Sequence, residues 1–163
     1  MSKHRIQIFS ILLVSALAVW PLGLVPAQET SQKSLEPPAP AYHSSPPREP
    51  LPQTLDPLEF SNDRSVFVVY SLAAKIKPLL YQVPCYCGCG ARHGHNSLLD
   101  CFTGTHGVKC HMCQKEVLFC FAEEKKHKSP DEIRKELAAG NAWNLDLARE
   151  VERLYRRLKQ QTK

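Results

Sequence analysis

From Asp63 onward, apolar side chains fall at Val66, Phe67, Tyr70, Ala73, Ala74 and Ile76, the three-and-four spacing of a helix with one buried face. Asp63 can cap that helix, and Pro78 should stop or kink it before "LLYQVP". A second helical pattern, "QKEVLFCFAEEKKHK", follows Cys113. "SPDE" then reads as a helix start, with Ser129 as cap, Pro130 in the first position and Glu132 closing a capping box; Gly140 should end it. The last helix is expected to begin near Asn141 or Asn144. It carries Leu147, Val151, Leu154, Tyr155 and Leu158 as one stripe, backed by Arg149, Arg153, Arg156, Arg157 and Lys159 as a solvated basic face. Strand-period alternation is almost absent. The pattern therefore predicts a mainly α protein, a small helical domain around a cysteine-rich loop.

Two N-terminal stretches break from this pattern. Lys3 and Arg5 precede an apolar run over residues 6–20, and Pro21, Gly23 and Pro26 interrupt it before Val25-Pro26-Ala27. This is the grammar of a signal peptide, with cleavage expected after Ala27 and a periplasmic or secreted destination; left uncleaved, the same helix would tether the chain to a membrane. No cysteine precedes Cys85, so a lipoprotein is not expected. Residues 28–57 hold eight of the thirteen prolines and no hydrophobic periodicity. Proline at that density removes backbone donors and stiffens the chain, which predicts a disordered proline-rich spacer. The expected organisation is thus a signal (1–27), the spacer (28–57), a cysteine-rich helical domain (58–140) and a basic amphipathic C-terminal helix (141–163).

Charge narrows the partners. The formal net charge of +5 over 163 residues is too mild for a nucleic-acid binder, and no phosphate-binding glycine loop is present. All seven cysteines fall between Cys85 and Cys120, together with His93, His95, His106 and His111. Cys85, Cys87 and Cys89 alternate. In an extended strand they would share one face, and Gly88 and Gly90 permit turns that would wrap the thiols around one ion. Disulfides between such near neighbours are strained, so any pairing would reach distant partners. Cys110 and Cys113 form a C-x2-C pair at the start of a helix, whose positive end favours thiolate. "NSLLD", capped by Asn96 or Ser97, should turn Cys101 inward. Soft thiolates with nearby imidazoles suit Zn or Cu(I).

"PCYCGCG", "GHNSLLDCF", the histidine ahead of "CHMC" and the glutamate after it resemble the bacterial family of exported proteins with a PCYCGC motif, over roughly residues 70–137. The resemblance implies a cysteine-rich extracytoplasmic module and little about chemistry. Its motif positions here are Cys85, Cys87, Cys89, His95, Cys101, His106, Cys110, Cys113 and Glu116. Cys120 stands outside them and reads as a buried structural thiol.

Three function classes follow. The first is a metal-binding module with a ligand pool of Cys85, Cys87, Cys89, His95, Cys101, His106, Cys110 and Cys113. Within it, Cys87, Cys89, Cys110 and Cys113 are the expected core, and Cys85 with Cys101 form a second site or a disulfide. The second is a disulfide-stabilised structural or interaction domain, disfavoured by the odd cysteine count. The third is a thiol-disulfide oxidoreductase using Cys110 and Cys113, which lacks the βαβ setting such sites use. His93 and His111 are weaker ligand candidates, and His43 and His127 read as exposed.

Overall fold

The computed structural model describes residues 39–48 and 50–161. The expected signal peptide and the first part of the spacer lie outside them. Among the described residues seven α-helices run in chain order: α1 (Arg64–Lys75), α2 (Lys77–Tyr81), α3 (Cys89–His93), α4 (His106–Lys109), α5 (His111–Glu124), α6 (Pro130–Ala138) and α7 (Leu147–Gln161). No strand occurs among the described residues.

The long helices begin and end for local reasons. Asp63 accepts a hydrogen bond from the Val66 N–H at 3.1 Å, and α1 stops at Lys75, two residues before α2 opens with Pro78 in its first turn. The Ser129–Glu132 capping box forms as expected, and Gly140 takes φ +80° just past α6, a conformation that costs glycine little. The last helix starts later than expected. Residues 141–144 form a 3₁₀ turn, and Asp146 accepts from the Arg149 N–H, so the carboxylate rather than either asparagine sets the α7 start.

α5 is the central helix. Its buried residues, among them Cys113, Glu116, Val117, Phe119, Cys120 and Glu123, lie on several sides, as expected for a helix covered by neighbours all round. α1 and α7 pack against it and each other, and α6 joins from another side. Val66, Val69 and Ala73 of α1, Val117 of α5, Ile133 and Leu137 of α6, and Val151 and Leu154 of α7 share one core. Full burial of each larger aliphatic contributes about 1.5–3 kcal/mol. The arginines of α7 stay exposed and pair locally, Arg153 with Glu150 at 2.5 Å and Arg156 with Glu152 at 2.8 Å.

The second half of the expected spacer lies on this domain. Residues 39–48 and 50–56 have no helix or strand, in keeping with their prolines, yet Leu51 and Leu55 pack against the core and the Leu55 N–H donates to the Phe102 carbonyl at 3.0 Å. His43 is not freely exposed: it stacks on Tyr81 with centroids 3.8 Å apart. A few apolar anchors among prolines suffice to seat such a segment, because proline has already removed much of the chain entropy that seating would cost.

Candidate metal centre

The cysteine-rich segment sits at the N-terminal end of α5. Cys85 and Cys87 occupy a turn rather than the expected extended strand, and α3 begins at Cys89. Gly88 makes this possible with φ +79°, reversing the chain between Cys87 and Cys89. Arg92 donates back to the Cys87 carbonyl and closes the turn. The thiols still converge, by curling rather than by sharing a strand face. Likewise Cys101 is buried on the 3₁₀ turn Leu99–Phe102, but neither Asn96 nor Ser97 caps it; the Asp100 carboxylate accepts from the Asn96 N–H at 2.7 Å instead.

Three sulfurs form a triangle: Cys85 to Cys87 is 3.3 Å, Cys85 to Cys113 is 3.4 Å and Cys87 to Cys113 is 3.6 Å. Beside it, Cys89 lies 3.5 Å from Cys101, whose sulfur is 3.3 Å from His95 Nδ1. His106 Nε2 stands 3.5 Å from the Cys87 sulfur. Among the described residues four groups have all their ligand atoms within 4.8 Å of one another: Cys87–His106–Cys110–Cys113, Cys85–Cys101–Cys113, Cys85–Cys87–Cys89 and Cys89–Cys101–His106. The fold thus gathers the eight residues singled out from the sequence into one cluster, with His95 at its edge. In the four-member group, however, His106 stands where Cys89 was expected. Curling the 85–89 turn carries Cys89 onto α3, facing Cys101, so Cys87 and Cys89 meet through the curl, in the Cys85–Cys87–Cys89 group, and not on one strand face. Cys120 belongs to none of these groups and is fully buried in the apolar core.

All seven cysteines are free thiols. Hydrogen bonds from the Cys101 and Cys85 thiols hold Cys113, which also sits in the first turn of α5, below the ordinary thiol range. Cys89 is lowered in the same way, by Cys101 and then Cys85. The two donors move oppositely: Cys85 is raised, chiefly by its bond to Cys101, and Cys101 chiefly by its bond to Cys113. Burial raises Cys87 and Cys110. Cys113 and Cys89 are therefore the sulfurs readiest to carry charge, and the others share protons with them. A soft cation would displace those protons.

Several surrounding residues hold the cluster in place. Glu116, one turn beyond Cys113 and wholly buried, accepts from the Tyr86 N–H at 2.9 Å and so pins the middle of the PCYCGC turn. Burial pushes its carboxyl up to about 8, against hydrogen bonds from Cys85 and Tyr86 that lower it. Helical periodicity did not point to two further supports. Tyr70, read only as part of the α1 stripe, donates its hydroxyl to the Gly104 carbonyl at 2.7 Å. Gln114 donates to the carbonyls of Gly107 and Val108, both at 2.9 Å, and ties α4 to α5. A tyrosine and a glutamine at buried helical positions were the available signals. His93 is exposed, with its ring 4.9 Å from that of His106 and 5.8 Å from that of His95, making an imidazole rim; His111 is exposed at the α5 start.

The arrangement suits the oxidoreductase alternative poorly. A C-x2-C redox pair attacks through an exposed, low-pKa first cysteine. Here Cys110 is raised by burial, while the lowered Cys113 is buried among other thiols. No curated protein and no solved structure matches this chain. The family model described as "protein of unknown function with PCYCGC motif" matches residues 42–141, which takes in the packed proline segment, the thiol cluster and every helix through α6, and the chain belongs to that family.

Proposed function

We propose that this protein is an extracytoplasmic metal-binding module that holds Zn or Cu(I) through clustered cysteine and histidine side chains and serves in metal handling. The observation that carries this reading is the sulfur triangle of Cys85, Cys87 and Cys113. A disulfide framework pairs sulfurs two by two, so three mutually adjacent sulfurs leave one without a bond. Metal coordination can use all three as ligands. Cys87, Cys110, Cys113 and His106 make a Cys₃His set, one of the usual structural zinc sets, whereas the all-sulfur triangle is the softer environment that copper(I) favours. The N-terminal signal grammar supports an exported destination. Among the described residues no helix is long and apolar enough to cross a membrane.

The test is anaerobic purification from the exporting host, followed by metal analysis and free-thiol counting before and after chelation. Bound Zn or copper, with thiols released by chelator, supports the module. Absence of metal, with thiols that only a reductant frees, overturns it in favour of the disulfide framework.

A further inference from the structure

Resting on that reading, we infer that the cluster holds two ions rather than one, joined by the sulfur of Cys113 as a bridge. The four-member group Cys87–His106–Cys110–Cys113 and the three-member group Cys85–Cys101–Cys113 have only Cys113 in common. Each is compact enough for a single ion. Cys89 stands 3.5 Å from Cys101 and within 4.8 Å of Cys85, so it can supply the fourth donor of the second group; it also lies within 4.8 Å of Cys87 and His106, along the seam between the two groups.

A single tetrahedral ion would use four donors and leave Cys85, Cys89 and Cys101 behind. These three are 4%, 1% and 0% exposed. Buried thiols without a metal are ordinary core residues, and Cys120 on the same α5 helix shows what that looks like: fully buried, in no ligand group, among aliphatic and aromatic neighbours. Cys85, Cys89 and Cys101 instead turn their sulfurs toward other sulfurs at 3.3–3.5 Å. A zinc–sulfur bond of about 2.3 Å implies a sulfur–sulfur edge of about 3.8 Å around a tetrahedral ion. The observed spacings need to open by only a few tenths of an ångström to reach it.

Charge points the same way. Six cysteines converge in a largely buried space, and one divalent ion balances only two thiolates, whereas two divalent ions balance four, with the Cys113 sulfur serving both. Cys113 is the sulfur best placed to bridge. It touches Cys85 on one side and Cys87 on the other, and its position in the first turn of α5 supports the extra negative charge.

The experiment loads the reduced full chain anaerobically with ¹¹³Cd²⁺ and combines native mass spectrometry with ¹¹³Cd NMR. The inference expects two cadmium ions per chain and two resonances split by each other through the shared sulfur; Cys101→Ala should reduce the count to one. Saturation at one ion overturns the inference and leaves the metal-binding reading standing, as do two ions with unsplit resonances for the bridge. Binding of no cadmium at all overturns both. Should Cys101→Ala fail to fold, the stoichiometry and splitting of the unmodified chain decide the matter alone.

Discussion

The helical frame and the cysteine-rich segment are held by different forces. α1, α5 and α7 have 12, 14 and 15 residues and bury aliphatic side chains against each other. α3 and α4, with five and four residues, are too short to persist on their own, and each buries only one residue, Cys89 in α3 and Gly107 in α4. Within residues 84–110, Leu98, Leu99 and Phe102 anchor the segment in the shared core, and the stretches around the thiols are held by single attachments from the frame: Glu116 to Tyr86, Tyr70 to Gly104, and Gln114 to Gly107 and Val108. The contrast teaches that the frame is built to stand by itself, and that it presents a preformed but weakly self-supporting turn to whatever the thiols bind.

The largest effect expected from this contrast is the response to metal removal. Binding free energy at a structural site of this donor type is on the order of 10 kcal/mol and enters folding directly, so chelation of the reduced, loaded chain should lower the melting temperature by well over about 10 °C. Hydrogen exchange should show residues 84–110 losing protection first while α1 and α5 keep theirs. Uniform loss across both regions would break the comparison.

Gly107→Ala comes next. A Cβ there would lie 2.6 Å from the Phe102 ring and 3.1 Å from the Cys101 carbonyl. Overpacking of this kind costs about 1–3 kcal/mol and displaces the backbone that carries Cys101 and His106. Denaturant unfolding should register the cost, and metal titration should register weaker binding.

A matched pair then separates the two regions. Tyr70→Phe removes the hydroxyl that holds Gly104, and Ser129→Ala removes the α6 cap; each should cost about 1 kcal/mol. Only Tyr70→Phe should also weaken metal binding, because α6 lies outside the cluster. Equal loss of affinity in the two variants would show that frame stability alone governs the site.

The smallest effect concerns acid. Burial alone would raise the Glu123 carboxyl, but hydrogen bonds and ion pairs with Lys126 and Lys128, at 2.7 and 2.6 Å, leave it below its usual value. A depressed folded-state pKa contributes stability that is present above the ordinary carboxylate range and is lost as pH falls through the lowered value. Glu123→Gln should therefore lower the melting temperature by a few degrees at neutral pH, with the difference shrinking under acid. The site should respond to acid for a separate reason, since protons compete with metal for the thiolates.

The helices were legible because their determinants are local. Asp63, Pro78, the Ser129–Glu132 box and the stripe through Leu154 act within a few residues of themselves, and each occupies its expected role. The same holds for the composition of the ligand pool, since cysteines and histidines concentrated in one short segment have few other uses. Tertiary structure decided how that pool divides. That Cys89 meets Cys101 as well as Cys85 and Cys87 depends on a positive φ at Gly88 and on Glu116 reaching across from α5 to Tyr86, contacts made between residues up to 30 positions apart. It likewise decided that half of a proline-rich stretch should lie on the domain, through Leu51 and Leu55 finding a surface that exists only once α1 and the Cys101 turn have packed. Periodicity reports which face of an element is buried; it carries no information about which distant element arrives to bury it.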